Sequence, residues 1–226
     1  MLGWPHTFPQ NGKDLNELFA KGKVNRIYGG ATLIRSYEEP LLERRKRNLA
    51  NKQRIGAAAA ELIHDGDSLF IDNGTTTEQL AASLQACHRV SVITTGLNIA
   101  NTLRPFDEVT VYLPEGRMDH SAYSIVGAQT EASLEKYNAR LSFIGIDGLT
   151  VEQGLLNNSY EASAISQIML RNSGTKVLLA DSSKFGNIGS ISLCPISGID
   201  IVITDSDISE TYRNAFIEAG VRIIIA

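Results

Sequence analysis

The segment DSLFIDNGTTTEQL, residues 67–80, changes from a strand pattern to a helix pattern, and the rest of the chain can be placed around it. Its apolar run, Ser68–Ile71, predicts a buried strand that ends at Asp72-Asn73-Gly74. Three threonines follow, and Leu80 and Leu84 then share one face of a predicted helix. A glycine turn, free N–H groups and hydroxyls at a helix start favour an anion such as a phosphate ester. Threonine also caps ordinary helices, so this segment alone predicts a phosphate site no more strongly than a plain cap.

Apolar runs alternate with helical patterns along the chain. The predicted strands are residues 68–71, 90–94, 109–113, 141–146, 176–180, 199–205 and 221–225. The predicted helices are residues 52–63, 76–84, 97–103, 130–137, 162–172 and 211–219. Apolar strands separated by helices are typical of α/β proteins with a mostly parallel sheet and helices on both faces, which is the fold that we predict.

Composition argues against several classes of protein. The 226 residues carry a formal net charge of −4, which argues against nucleic-acid binding by the chain as a whole. Cys87 and Cys194 lie far apart, and the histidines lack zinc-binding spacing, so we expect no disulfide framework, no metal site and no cofactor. Apolar runs are shorter than a membrane helix and no signal-peptide pattern is seen, so we expect a cytoplasmic protein with no membrane partner.

A basic run covers residues 35–54 and contains Arg44, Arg45, Lys46, Arg47, Lys52 and Arg54. Three nearby glutamates, at positions 38, 39 and 43, partly offset its charge. We interpret the run as a solvated helix face, with a phosphate or subunit contact as the less favoured alternative.

Polar side chains and glycines follow nearly every predicted strand. Ligands of parallel α/β sheets bind beyond the carboxyl ends of the strands, so these positions form the candidate site. Lys184 can reach a phosphate or a carbonyl oxygen there, or it can pair with Asp181 at the surface. Arg117 is either a phosphate fork or an ordinary loop charge. Four aspartates can orient sugar hydroxyls or act as bases: Asp72, Asp147, Asp181 and Asp205. We interpret Asp205 as structural, because aspartates after strands also cap turns.

Several motifs together resemble the C-terminal sensor domain of the DeoR family of bacterial transcriptional repressors. They are GDSLFIDNGTTTEQLA, VSVITTGLNIANTL, GIDGL, VLLADSSKFG and IDIVITD, in consistent order within a match that runs from about residue 28 to the end. The resemblance implies the fold shared by ribose-5-phosphate isomerase and glucosamine-6-phosphate deaminase, a sugar-phosphate effector and an oligomer. It also implies an effector pocket at Asp72, Gly74, Thr75, Thr76, Thr77, Thr94, Gly116, Arg117, Asp147, Glu161 and Lys184.

The chain departs from the family pattern at two predicted strand ends. Thr95-Gly96 stands where family members usually have Asn-Ser, which implies a change in sugar selectivity. Glu115 stands where the family usually has glycine, and its carboxylate would either repel a phosphate or bind a sugar hydroxyl.

The N-terminal region resembles only the last part of the family's winged helix-turn-helix. Residues 14–31, DLNELFAKGKVNRIYGGA, match the end of a recognition helix at 14–19 and a wing at 23–28. We therefore predict an unrelated leader and a remnant of the DNA-binding domain over residues 1–31, and an effector-binding sensor domain over residues 32–226. Because a dozen residues cannot bury a helix-turn-helix core, we expect that this chain alone does not bind operator DNA specifically.

Two classes of function remain open, with a third alternative beside them. The first is a DeoR-type repressor of a sugar or polyol operon, without catalytic residues, in which a phosphorylated sugar shifts a homo-oligomer whose full-length form binds operator DNA. The second is a sugar-phosphate isomerase or deaminase, with Asp72, Asp147 or Glu161 as general base. The third is a remnant that pairs with full-length relatives.

Overall fold

A computed structural model describes residues 24–27, 30–33 and 41–226 of the protein. The chain divides into two compact units, residues 1–39 and residues 40–226. In the first unit, strand β1 (Val24–Ile27) pairs with strand β2 (Gly30–Leu33) in an antiparallel hairpin. β1 lies within the predicted wing, whereas the predicted end of the recognition helix, residues 14–19, lies outside the described residues.

The second unit is built on one seven-stranded parallel sheet. Its strands are β3 (Ser68–Ile71), β4 (Val90–Ile93), β5 (Val109–Tyr112), β8 (Ala139–Ile144), β11 (Ser173–Leu179), β13 (Ile201–Thr204) and β14 (Arg222–Ile225). Two smaller antiparallel sheets contain β6 (Arg117–Asp119) with β7 (Ser124–Val126), and β9 (Gly148–Thr150), β10 (Gly154–Asn157) and β12 (Ile191–Cys194). All the predicted strands are present in the parallel sheet, and their ends differ from the prediction by three residues or fewer.

Seven α-helices lie in the described part of the second unit. They are α1 (Leu41–Lys46), α2 (Leu49–Ala60), α3 (Thr75–Ala82), α4 (Leu97–Leu103), α5 (Ala128–Leu134), α6 (Tyr160–Arg171) and α7 (Glu210–Glu218). Ser159 caps α6, because its Oγ accepts a hydrogen bond from the Ala162 N–H at 3.3 Å. None of these described helices is long and apolar enough to cross a membrane.

The strand order of the large sheet creates a reversal near its centre. The order is β14-β13-β11-β8-β3-β4-β5. The chain runs outward from β3 to β5, returns to the other side of β3 as β8, and continues outward to β14. The winding therefore reverses between β3 and β8, where Ile71 pairs with Phe143. Open α/β sheets bind ligands in the crevice beyond the carboxyl ends of the strands at such a reversal.

Alternate residues of the central strands pack on opposite faces of the sheet. Phe70 of β3 is fully buried in one cluster with Met169 of α6. Its neighbours Leu69 and Ile71 belong to a second cluster, which contains Ile55 of α2. This period of two places helices on both faces, so the predicted α/β architecture is confirmed.

The two antiparallel sheets were not predicted from the sequence. Their strands contain only three or four residues, which is too short for a clear period-two pattern. All four residues of β10 are buried, so this strand shows no alternation at all. Its partner β12 is also distant in sequence, since Leu155 pairs with Cys194.

Candidate functional site

Asp72 lies directly after β3, where the winding of the sheet reverses. Its carboxylate is buried, and Ser166 Oγ on α6 donates to Oδ2 at 2.7 Å while the Asn73 N–H donates to Oδ1 at 2.8 Å. Burial raises the pKa of Asp72 to about 6; the two hydrogen bonds oppose this rise, and the charge of Asp147 adds to it. The centre of the candidate site therefore holds a buried carboxyl group whose pKa is raised well above its ordinary value.

The first turn of α3 begins at the same strand end. Its three threonines are buried, and among the described residues no side chain caps the helix at Gly74. Thr77 Oγ1 and Asn98 Nδ2 both donate to the Gly74 carbonyl oxygen at 3.1 Å, so these two side chains stabilise the turn. The first N–H groups of a helix have no partner within it, and the helix dipole favours negative charge there. This turn has the chemistry of an anion site.

Asp147 lies beyond the carboxyl end of β8, the strand next to β3. Its Oδ2 accepts a hydrogen bond from the Asn158 N–H at 2.9 Å. Its Oδ1 is 3.7 Å from Nη2 of Arg44, which is an ion pair longer than a hydrogen bond. Asp147 is thus held by the backbone on one side and has a weaker contact with a cation on the other.

Lys184 lies in a 3-10 turn, Ser182–Lys184, that follows β11. Burial and the charge of Arg44 lower the pKa of Lys184, whereas Asp147 and Asp181 act in the opposite direction. Within the described chain no residue accepts a hydrogen bond from its Nζ, and Asp181 accepts one from Asn48 Nδ2 at 2.9 Å. The structure therefore lacks the surface pair between Lys184 and Asp181 that the sequence left open as an alternative.

The basic run contributes to the site, and its interpretation as a solvated helix face is wrong for Lys52. Arg45 donates two hydrogen bonds, at 2.8 and 2.6 Å, to Glu78 in the first turn of α3. Lys52 is only 3% exposed, and its Nζ donates to the Arg44 carbonyl oxygen at 2.6 Å. Burial lowers the pKa of Lys52 to about 8, and Asp181 opposes this effect.

A signal for the burial of Lys52 is present in the sequence. Lys52, Ile55, Gly56 and Ala59 recur at helical spacing, and all four are buried on α2. The charge of the Lys52 side chain predicts exposure to solvent, whereas its position on the helix predicts burial. The prediction from its position is the correct one. Ser166 has no comparable signal, because it contacts Asp72 at a separation of 94 residues.

Arg117 and Glu161 are brought together from positions 44 residues apart. Arg117 lies on β6, and its Nη2 is 2.7 Å from Oε1 and 2.8 Å from Oε2 of Glu161, in the first turn of α6. Arg117 and Glu161, which both belong to the predicted pocket, therefore bind each other. A ligand that uses Arg117 would have to compete with this carboxylate.

Thr94 and Gly116 make contacts within the protein. Thr94 is fully buried after β4, and its Oγ1 accepts a hydrogen bond from the Gly96 N–H at 3.0 Å. Gly116 has a φ of +153°, and a Cβ there would lie 2.0 Å from Thr130 Oγ1. Only glycine fits this position, so it shapes the loop after β5.

Asp205 is structural, in agreement with its interpretation from the sequence. Its Oδ2 accepts a hydrogen bond from the Ser182 N–H at 2.9 Å, and its Oδ1 accepts one from the Asp207 N–H at 3.1 Å. The carboxylate thereby joins the turn after β11 to the turn after β13. It fixes the backbone next to Lys184 without being directed at a ligand.

The strand ends combine donors for an anion with acceptors for hydroxyl groups. The α3 start and Lys184 provide the donors, and Asp72 and Asp147 provide the acceptors. In the part of the chain that the structure describes, no group of three or more His, Cys, Asp or Glu residues could hold a metal ion. The arrangement is suited to a ligand that carries one acidic group and several hydroxyls.

Comparison with protein families matches the DeoR C-terminal sensor domain over residues 47–206. The glycerol-3-phosphate regulon repressor of Escherichia coli K12 is 32% identical over 195 residues, which cover 86% of this chain and 77% of the relative. The HTH-type transcriptional regulator GolR of Listeria innocua is 29% identical over 215 residues, which cover 94% of this chain and 85% of the relative.

Comparison with solved structures finds ribose 5-phosphate isomerase from Plasmodium falciparum among the similar chains. The TM-score is 0.45 at 13% sequence identity. The match covers 62% of this chain and 54% of the isomerase chain, so it spans about half of that enzyme's length.

Proposed function

Because the chain belongs to the DeoR family of transcriptional repressors, we propose that its second unit binds a phosphorylated sugar or polyol that controls repression of a catabolic operon. The family match includes most of the parallel sheet and its strand-end site. One relative is named for the regulon of glycerol 3-phosphate, which is a phosphorylated polyol. A ligand of this chemical class is the one that we expect the present chain to bind.

The observation that carries the proposal is an uncapped helix start at the same sheet edge as a lysine without a described acceptor. The first turn of α3 offers N–H groups and the positive end of a helix dipole, and Lys184 offers a formal charge. The carboxylates of Asp72 and Asp147 offer acceptors for hydroxyl groups. A phosphate ester with several hydroxyls matches both sets of groups.

The state of the candidate bases supports a binding role rather than catalysis. Asp72 and Asp147 each accept hydrogen bonds from within the protein, and Glu161 is paired with Arg117. A general base needs an oxygen directed at the proton that it removes. One observation favours the alternative, an isomerase or deaminase: burial raises the pKa of Asp72 to about 6, which suits proton transfer near neutral pH.

Thermal unfolding with a panel of ligands tests the proposal. The panel contains glycerol 3-phosphate, ribose 5-phosphate, fructose 6-phosphate and glucitol 6-phosphate, each with its unphosphorylated parent as control. A ligand at about 100 times its dissociation constant adds about 2.7 kcal/mol to the free energy of unfolding. We expect a shift with at least one ester and none with its parent, and no shift with any ester would contradict the proposal.

Two lysine variants show whether that shift comes from the strand-end site. Lys184→Ala should abolish the shift, because the cation of the site is lost. Lys136→Ala is the matched control, since Lys136 is exposed and precedes β8 at the opposite edge of the sheet. Equal shifts in both variants would place the ligand elsewhere.

Turnover of a substrate separates the repressor from the enzyme. The protein is incubated with ribose 5-phosphate and with glucosamine 6-phosphate, and products are followed by NMR. We expect binding without conversion. Conversion that is lost in Asp72→Asn would favour the isomerase or deaminase alternative.

The proposal extends to partners and location. We propose that the protein acts as a homo-oligomer in the cytoplasm and that operator DNA is its nucleic-acid partner. The relatives support the DNA partner, since GolR is named an HTH-type transcriptional regulator. Light scattering with and without the ligand tests the oligomer, and a monomer at micromolar concentration would contradict it.

A further inference from the structure

Residues 44–52 connect the start of the second unit to the loops of the strand-end site. We call them the basic segment; they contain the end of α1 and the start of α2. Arg45 binds Glu78 in the first turn of α3, and Arg44 pairs with Asp147 after β8. Asn48 donates to Asp181, after β11. The basic segment therefore contacts the loops after three adjacent strands of the sheet.

Positive charge exceeds negative charge where the basic segment meets these loops. The charge of Arg44 disfavours the protonated form of Lys184, and the charge of Lys184 disfavours that of Lys52. Asp147 and Asp181 act on Lys184 in the opposite direction. Burial makes the charges of Lys52 and Lys184 costly, and neighbouring like charges add to the cost. A phosphate dianion would relieve both effects.

Arg44 is suited to supply the contact with such a dianion. Its side chain is 24% exposed, so a ligand can reach it. Its 3.7 Å distance from Asp147 leaves that pair without a hydrogen bond, whereas a guanidinium binds phosphate through two parallel ones. Lys52 holds the Arg44 carbonyl oxygen at 2.6 Å, which fixes the backbone from which the side chain extends.

We propose that Arg44 binds the phosphate of the ligand together with Lys184. When the ligand binds, the Arg44 guanidinium contacts the phosphate in place of Asp147, and this contact stabilises α1 against the site. This inference rests on the proposed function and adds a ligand residue outside the pocket that the family resemblance implies. α1 is the first helix of the second unit, and the chain enters it from residues 1–39. Occupancy of the site is thereby linked to the segment through which the two units are covalently connected.

Titration calorimetry of three proteins tests the contact. Wild type, Arg44→Gln and the control Lys46→Gln are titrated with glycerol 3-phosphate, ribose 5-phosphate, fructose 6-phosphate and glucitol 6-phosphate. Lys46 lies on the same helix; its side chain is 76% exposed, and its Nζ lies 3.5 Å from Oε1 of Glu43. We expect Arg44→Gln to weaken binding of the ester that wild type prefers by about 10- to 100-fold, and Lys46→Gln to leave it unchanged.

Hydrogen exchange of residues 41–48 tests the link to α1. We expect the preferred ester to slow exchange in this peptide in wild type and in Lys46→Gln, but not in Arg44→Gln at a saturating concentration. Arg44→Lys, which keeps the charge and loses the planar fork, should give intermediate affinity. This series separates a ligand contact from a loss of stability, because the free protein's unfolding temperature is measured for each variant.

The outcomes distinguish this inference from the function on which it rests. If no ester binds wild type, the proposed function itself is wrong. If an ester binds wild type and Arg44→Gln equally well, or if α1 exchange does not respond, the proposed function stands and the role of Arg44 is overturned.

Discussion

Lys52 provides a direct test of the electrostatics beneath the site. Its side chain is 3% exposed, and burial lowers its pKa from 10.5 to about 8. One pKa unit corresponds to about 1.4 kcal/mol, so the folded state disfavours the charged amine by on the order of 3 kcal/mol. The folded protein releases this proton near pH 8 and the unfolded chain near pH 10.5. Between these values the unfolded chain binds more protons, so the contribution of Lys52 to stability rises with pH.

Lys52→Met removes the charge and keeps most of the side-chain volume. Near pH 7 we expect its free energy of unfolding to exceed that of wild type by about 2 kcal/mol. About 3 kcal/mol of unfavourable charge burial is removed, and about 1 kcal/mol is lost with the hydrogen bond to the Arg44 carbonyl. From about pH 8 to 10.5 the advantage should fall by about 3 kcal/mol and change sign, because the wild-type amine is then neutral.

Urea unfolding at a series of pH values between about 7 and 10.5, followed by circular dichroism, measures this difference. Gln53→Met is the matched control, since Gln53 is an exposed neutral neighbour on α2. Its difference from wild type should not depend on pH. The reasoning would be refuted if the difference in unfolding free energy between Lys52→Met and wild type did not change with pH. It would also be refuted if Lys52→Met were strongly destabilised near pH 7, because attraction to Asp181 would then offset the cost of burying the charge.

Two further predictions concern the site. Gly116→Ala should destabilise the protein by about 2 kcal/mol or more in urea unfolding, because its Cβ would lie 2.0 Å from Thr130 Oγ1. Gly127→Ala, with a φ of +114° and no atom within 4 Å of the new Cβ, should cost about 1 kcal/mol, and equal costs would contradict this account. Burial raises the pKa of Asp72 above its unfolded value, so the contribution of Asp72 to stability should fall by on the order of 3 kcal/mol as pH rises from about 4 to about 6. The difference in unfolding free energy between wild type and Asp72→Asn should show this fall in urea unfolding, and a difference that does not change with pH would show that Asp72 titrates normally.

Local sequence pattern was sufficient for most of the secondary structure. The predicted strand 68–71 and the predicted helix 97–103 agree with β3 and α4 at both ends. Each of these segments has a clear apolar pattern and a glycine-containing turn beside it, so neighbouring residues alone define it. The parallel sheet and its helices on both faces followed from the order of such segments.

Local pattern also located part of the candidate site, because the carboxyl ends of parallel strands meet at one edge. Asp72, Asp147 and Lys184 were chosen as residues that follow strands, and the structure brings their strands, β3, β8 and β11, side by side. The sequence could not give this strand order. It depends on which strands pack next to β3 after the chain reverses, and that is a property of the whole core.

Only the tertiary structure decided which polar groups meet. Ser166 reaches Asp72 across 94 residues, and Arg45 reaches Glu78 across 33. The charges of the basic run predicted that its side chains are exposed to solvent. Packing of α2 on the sheet instead buries Lys52, which belongs to this run. The physical reason is that backbone periodicity is set by adjacent residues, while burial and ion pairing are set by the surfaces that folding brings together.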